Sequence, residues 1–471
     1  MDLDEFRSHA HQMVDWMTDY LAGIEQYPVR AQTHPGEVAG KLSASAPAAG
    51  EPVQRIMADF ARDVLPGVTH WQHPSFFAYF PANSSPPSVL AEMLTATIGA
   101  QCMMWQTSPA ATEMETRVLD WLRQMIGLEE GFTGVIQDSA SGAILAALLT
   151  AREKATGFEA NEAGLTGGPE LVAYCSDQTH TATEKGAKIA GYGRRNVRKI
   201  ATDDTFAIIP AELEKAIQAD IAAGRKPACA VASLGATGVG AIDDLAAMGE
   251  ICRRYGVFFH VDAAWAGSAL ILPEYRWMLE GQETIDSLVF NPHKWLLTNF
   301  DCAAHFVRDP EALIRTFAID ASYYAGPEAG QVIDYRDWGV PLGRRFRALK
   351  LWFVIRSYGI EGLQAFLRRH IALAEELEAK IAAERDFELV APRVLSLLNF
   401  RFRPAGSASE AETDALNERL LNTLNASGEA YFTPNRVRDR YAIRISIGQT
   451  RTKARHVDAA WDLIRRTARA L

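Results

Sequence analysis

The sequence predicts an α/β protein whose large domain holds a mostly parallel sheet. From about residue 88 to 355, short apolar and β-branched runs alternate with segments of helical period, an order that covers a parallel sheet on both faces. Polar residues able to do chemistry close several of those runs, at the sheet edge where α/β proteins bind ligands. The chain has 471 residues, too many for one simple core, so about two or three domains are expected.

The first element is an amphipathic helix, with Phe6, Ala10, Met13, Met17, Tyr20 and Ile24 on one stripe, ending near Tyr27-Pro28. A lone stripe cannot bury itself. It must pack on the body of the protein or on another subunit, and the second option implies a dimer. Residues 33–52, rich in Pro, Gly, Ala and Ser, read as an extended connection, and a second helix over 53–64 stops at Pro66-Gly67. In the large domain the expected helices cover 109–126, 142–154, 211–223 and 245–255. The expected strands cover 134–137, 171–176, 228–234, 257–261, 288–291 and 302–307. Beyond Gly359 a helix over 363–383, strands near 387–390 and 396–403, a helix over 410–425 and a strand over 441–447 read as a smaller α+β domain. The expected division is an N-terminal helical segment over 1–87, a large domain over 88–358 and a small domain over 359–471.

Composition excludes some classes of function. A formal charge of -10 counts against a nucleic-acid or anionic-membrane surface, and the longest apolar run, 143–149, is far short of a membrane span. Five scattered cysteines without a close CxxC pair suggest reduced thiols, and the acidic start Met1-Asp2-Leu3-Asp4-Glu5 lacks the order of a signal peptide. A soluble, cytoplasmic protein is expected.

The chemistry centres on Asn291-Pro292-His293-Lys294-Trp295, which follows the apolar run Ser287-Leu288-Val289-Phe290. An ammonium beside buried apolar sequence is costly unless something uses it, and one use is an imine with an aldehyde cofactor. Asp262 closes the run Val257-Phe258-Phe259-His260-Val261, where an acid can keep a cofactor ring nitrogen protonated. Alone, Asp262 reads as a helix cap and Lys294 as a surface lysine. Together, framed by aromatics, they give the order of a pyridoxal phosphate site.

Three further strand ends join them. Gln137-Asp138-Ser139-Ala140-Ser141-Gly142 leads into a helix whose first turn suits a phosphate, although a Ser N-cap alone explains it as well. His180, ending Ser176-Asp177-Gln178-Thr179-His180, is a cap or a ring lying flat on an aromatic cofactor, and at this edge stacking is the better reading. Thr237, in Ser233-Leu234-Gly235-Ala236-Thr237-Gly238, can hydrogen-bond the cofactor, while turn formation explains the glycines equally.

These motifs, in this order, resemble those of the group II pyridoxal phosphate decarboxylases, and within them the aromatic L-amino acid decarboxylases. The resemblance runs from near Phe6 to the C-terminal region and rests also on Gly67-Val68-Thr69-His70-Trp71, Phe76-Phe77-Ala78-Tyr79-Phe80-Pro81, Ser108-Pro109-Ala110 and Pro341-Leu342-Gly343-Arg344-Arg345-Phe346-Arg347. It implies pyridoxal phosphate fold type I, the aspartate aminotransferase-like α/β fold, and pyridoxal 5'-phosphate as cofactor. It implies Lys294 as the Schiff-base lysine, Asp262 as the pyridinium partner and His180 as the stacking imidazole. Ala140, Ser141, Asn291 and His293 match phosphate-site positions, and Thr237 matches a cofactor contact. Tyr323, in Asp320-Ala321-Ser322-Tyr323, falls where the family has a mobile-loop tyrosine that protonates the substrate carbon. A homodimer with active sites at the subunit interface is implied as well. No metal is expected.

The substrate class so implied is an aromatic L-amino acid, with Trp71, Tyr79, Phe80, Pro81, Ala82, Gln101, Met103 and Gly343 as its expected contacts. Gly343 leaves room for a bulky ring. Ala82 stands where relatives often carry a hydroxyl, which weakens the case for a catechol, and Gln101 and Met103 replace apolar or aromatic neighbours. Tryptophan is the expectation, with phenylalanine, tyrosine and DOPA as alternatives. Two rivals share the cofactor. An aromatic aldehyde synthase couples decarboxylation to oxygen-dependent deamination, against which Tyr323 speaks. An aminotransferase would hold the substrate carboxylate with Arg444, which reads better as a buried structural arginine. A non-catalytic scaffold has no use for Lys294, Asp262, His180 and Tyr323 together.

Overall fold

A computed structural model describes residues 1–319, 331–406 and 409–471. They form two compact units, one of residues 82–372 and 391–398, the other of 1–81, 373–390 and 399–471.

The first unit is built on seven strands: β1 (Thr133–Gln137), β2 (Leu171–Ser176), β3 (Val197–Ile200), β4 (Lys226–Ser233), β5 (Phe258–Asp262), β6 (Ser287–Phe290) and β7 (Ala303–Val307). Their order is β1-β7-β6-β5-β4-β2-β3. Neighbours from β6 to β3 are parallel, whereas β7 runs antiparallel to both β6 and β1. Two reversals make β1 point with the parallel set, so six strands present their carboxyl ends at one edge. Crossovers between parallel strands need intervening helices, here Ala140–Ala155, Thr181–Ile189, Pro210–Ala222 and Leu245–Tyr255. β2 and β5 are buried along their whole length, as a sheet covered on both faces requires.

Helix Ala140–Ala155 shows why the layers fit. Ala143, Ala147 and Ala151 recur every four residues, and these small side chains, with Ile144 and Leu148, pack into one cluster with Leu171, Ala173, Val231 and Val289. Ser139 caps the helix by accepting from Gly142 N at 3.2 Å, a contact that contributes about 1 kcal/mol. Two helices (Pro109–Ile126, Leu245–Tyr255) and strand β2 have the bounds expected from sequence. Helices Pro86–Ile98 and Thr181–Ile189 and strand β3 were not expected. The first exposes Leu90, Leu94 and Ile98, so its pattern is not that of a helix packed on a core, and β3, Val-Arg-Lys-Ile, is a charged edge strand.

The second unit opens with helix Leu3–Ala22, capped by an Asp2–Glu5 capping box, none of whose residues is buried. Its sheet contains β8 (Phe387–Leu389), β9 (Leu397–Phe402), β10 (Thr433–Val437) and β11 (Arg440–Ser446), in the order β10-β11-β9-β8. Phe387, Phe400 and Phe402 cluster there with Trp461 of helix Ala454–Arg469. The connection expected to be extended contains the short helix Glu37–Lys41, and the helix from Val53 is α-helical only to Asp59 before a π turn, Phe60–Val64. The helical run Arg347–Ala383 starts well before the expected 363 and breaks at Gly359, with φ 63° and ψ 173°.

Candidate active site

The carboxyl ends of β1, β2, β4, β5 and β6 deliver the expected cofactor residues to one edge of the sheet. β5 ends at Asp262, in register with Ser233 of β4 and Val289 of β6. Asp262 is buried, and its Oδ1 accepts from Ala264 N at 3.0 Å, which fixes the carboxylate's direction. β6 leads to Asn291, the N-cap of a single turn, Pro292–Trp295, that carries His293 and Lys294. Trp295 locks this turn in place. It is fully buried, stacks on Trp265 with ring centroids 5.3 Å apart, and donates Nε1–H to His370 Nδ1 at 3.0 Å. Asn83 fastens the segment from outside, its N donating to His293 O at 3.0 Å and its Oδ1 accepting from Leu297 N at 3.2 Å. Ala82, immediately before it, is thereby placed beside the lysine's turn. His293 Nδ1 accepts from Cys302 N at 2.8 Å, and burial pushes its pKa down to about 3, so the ring is neutral with its proton on Nε2.

β2 leads to His180, N-cap of Thr181–Ile189, whose Nδ1 accepts from Ala182 N at 3.1 Å. That bond leaves the imidazole proton on Nε2. The ring is exposed yet hemmed in, as for a group lining an open cleft: burial lowers its pKa, Asp262 raises it and Lys294 lowers it. His180 therefore lies within electrostatic reach of both Asp262 and Lys294.

β1 brings Ala140 and Ser141 into the first turn of a sixteen-residue helix, where backbone N–H groups and the positive end of the dipole face outward. A Cβ at Gly142 would lie 2.7 Å from Asp138 Oδ1, so a larger residue there would displace the Asp138 carboxylate. β4 runs into the loop that carries half-buried Thr237. Gly235 has φ 82°, and a Cβ there would come within 2.6 Å of Ala266 Cβ. The loop is tied down by Asp243, which accepts from Ile208 N and Ser233 N, both at 2.7 Å, and whose pKa burial pushes up to about 6.

These residues fit a cofactor that needs an amine, an acid for a ring nitrogen, a flat surface and a phosphate cradle. The Asn291 side-chain oxygen and the Ser233 hydroxyl are buried with no hydrogen-bond partner among the described residues. Each such group costs roughly 1–3 kcal/mol, a cost explained where a ligand completes the bonding. Ser233 and Asp243 were missed in the sequence. An Asp ten residues after a strand end carries no mark of being wedged between two backbone amides.

The expected substrate contacts fall in separate units. In one, Trp71 stacks on Tyr79 with centroids 5.6 Å apart, Tyr79 and Tyr431 hydroxyls meet at 3.3 Å, and Pro81 packs near Gly448. Arg444 there is buried, bonds to Tyr79 O and lies 4.5 Å from the centre of the Phe80 ring, a structural arrangement. In the other, a Cβ at Gly343 would sit 3.2 Å from Gln101 Nε2, and Gln101 Oε1 accepts from Arg344 N at 2.7 Å. Met103 O accepts from Arg336 N at 2.9 Å. Tyr323 lies outside the described residues. Among those residues no group of three or more His, Cys, Asp or Glu could hold a metal, and no helix is long and apolar enough to cross a membrane.

A mostly parallel sheet with this edge is the fold type I architecture of pyridoxal phosphate enzymes. Residues 35–403 match the pyridoxal-dependent decarboxylase conserved domain. The chain is 42% identical to tryptophan decarboxylase TDC2 of Camptotheca acuminata, covering 100% of this chain and 96% of the relative. It is 42% identical to phenylacetaldehyde synthase of Arabidopsis thaliana, over 99% of this chain and 96% of that one. The crystal structure of Oryza sativa TDC with PLP and tryptamine superposes with a TM-score of 0.97 at 36% identity, covering 100% of this chain and 99% of the other. The chain belongs to the pyridoxal-dependent decarboxylase family, and pyridoxal phosphate is its cofactor.

Proposed function

We propose that the chain is a cytoplasmic, homodimeric decarboxylase of aromatic L-amino acids, acting on tryptophan ahead of phenylalanine, tyrosine and DOPA and releasing the arylalkylamine and carbon dioxide. The supporting observation is that the carboxyl ends of β2, β5 and β6 bring His180, Asp262 and Lys294 to one strand edge, in a chain whose named relatives include tryptophan and tyrosine decarboxylases.

Pyridoxal phosphate, when bound, supplies an electron sink conjugated with the substrate's α-carbon. Lys294 Nζ is the amine that would hold the cofactor's aldehyde carbon. Asp262 keeps a proton on the ring nitrogen, its direction set by Ala264 N. His180, neutral and with one tautomer fixed by Ala182 N, would supply the flat surface for the ring. The amides of Ala140 and Ser141, with Asn291 and neutral His293, hold the phosphate, and Thr237 adds a hydrogen bond. Tyr323 returns a proton to the substrate Cα. A phenol with an ordinary pKa near 10 does so only against a strong base in a closed, dry site. Gly343 beside Gln101 accommodates a wide ring, and Trp71, Tyr79, Phe80, Pro81, Ala82 and Met103 contribute to substrate selection.

Two observations support the dimer and the compartment. Helix Leu3–Ala22 leaves Leu3, Phe6 and Val14 exposed, and helix Pro86–Ile98 leaves Leu90, Leu94 and Ile98 exposed, apolar surface that a second copy would cover. All five cysteines are buried and free, as in a reducing cytoplasm.

The identity to phenylacetaldehyde synthase favours a second reading, decarboxylation coupled to oxidative deamination. Quantifying amine, carbon dioxide and hydrogen peroxide from each aromatic amino acid separates the two. Amine equal to carbon dioxide without peroxide is expected, and stoichiometric peroxide would establish the synthase.

A further inference from the structure

The amino ends of β4, β5 and β6 border a cavity of about 370 Å³ at the opposite end of the sheet from the cofactor residues. Helix Ala140–Ala155 links the two places: Ala140 is at the cofactor edge, while Ala151 and Lys154 line the cavity. Sixteen helical residues span about 24 Å, so the sites are distinct. The cavity's apolar surface comes from Ala155, Ala228, Val257 and Phe258.

Its charges are of both signs, and they are not equally satisfied. Lys154 pairs with Asp309 at 3.1 Å, Arg253 with Glu250 at 2.7 Å and Arg308 with Glu129 at 2.6 Å. Lys226, Glu283 and Asp286 also line the cavity, and among the described residues none of them has an ion-pair partner. Lys226 is held in position by its backbone, whose N donates to Glu170 O at 2.8 Å. Asp286 is fixed by accepting from Phe259 N at 2.7 Å, and its pKa is raised by burial while Lys154 and Arg308 hold it down.

We propose that this cavity binds a small aliphatic α-amino acid, with its carboxylate on Lys226, its ammonium on Asp286 and Glu283, and its side chain on Val257 and Phe258. With Lys154, Arg253 and Arg308 already paired, a lone anion would meet the two unpaired carboxylates and a lone amine would meet unpaired Lys226, so a zwitterion is the class that satisfies both. The volume is within the range of small-molecule sites.

Calorimetric titration of the holoenzyme with L-valine tests this, alongside isobutylamine, which lacks the carboxylate, and 3-methylbutanoate, which lacks the ammonium. Saturable valine binding is expected without change in the cofactor's visible band. Lys226→Met and Asp286→Asn should each weaken it by about tenfold or more, with both analogues weaker by a similar factor. Asn at 286 can still accept from Phe259 N, and Lys226 is exposed, so both variants keep the fold. Absence of saturable valine binding, binding that survives both substitutions, or an analogue that binds as tightly as valine would overturn the proposal. None of these outcomes depends on which reaction the cofactor edge catalyses.

Discussion

Lys294 owes its position to the residue after it. Trp295 is clamped between Trp265 and His370, so the one turn that carries the lysine cannot drift from the strand end where Asp262 sits. Asp262→Asn keeps an oxygen for Ala264 N but loses the charge proposed to hold the ring-nitrogen proton. Its kcat should fall roughly 10²–10⁴-fold with the cofactor still bound, as steady-state kinetics and absorbance would show. A different residue pair adds to the acid sensitivity of the fold. His260 and His305 lie in the sheet interior with centroids 6.1 Å apart, and neither ring nitrogen of His305 has a partner among the described residues. Burial pushes the His305 pKa down to about 4, below its ordinary 6.5 in the unfolded chain. The unfolded state therefore binds the extra proton between those values. The contribution of His305 to stability is present above pH 6.5, and on the order of 3 kcal/mol of it is lost as pH falls to 4. Urea midpoints at pH 7.5 and 5 should show the loss, and His305→Leu should reduce it. That Asp262, His180 and Lys294 lie at strand ends could be read from sequence because each stands at or just beyond a patterned run. His305 and Asp243 could not, since what makes them unusual is the packing of distant strands around them.

At the scale of elements, the break at Gly359 has a single cause. Its φ of 63° with ψ of 173° is a conformation essentially reserved for glycine, although no atom would obstruct a Cβ there. Gly359→Ala should cost roughly 1–3 kcal/mol through backbone strain alone, measurable as a shift of the denaturant midpoint with unchanged m-value. The glycine marked the boundary in the sequence, but helix also precedes it, because Arg347 and Lys350 are held in the first turns by Asp301 at 3.0 Å and Glu92 at 2.8 Å. Those partners lie far away in the chain and leave no local signal. The reversal of β7 has a physical basis too. Between Phe290 and Ala303 the chain forms only one helical turn, too little for a parallel crossover, so the strand returns antiparallel.

At the scale of the whole molecule, family membership follows from a match across most of the chain, while assembly and substrate rest on surfaces. Sedimentation equilibrium should give twice the chain mass of 51.8 kDa, and Phe6→Glu with Leu94→Glu should shift the protein toward monomer. A monomer in the unaltered protein would remove the support that the exposed helices give to the dimer. The central claim is that one strand edge holds pyridoxal phosphate through Lys294, Asp262 and His180. The visible absorption spectrum of the purified protein and of Lys294→Ala tests it most directly. We expect a cofactor band in the unaltered protein that disappears from Lys294→Ala together with carbon dioxide release from tryptophan. A band of the same position and intensity in both proteins would contradict the assignment of Lys294.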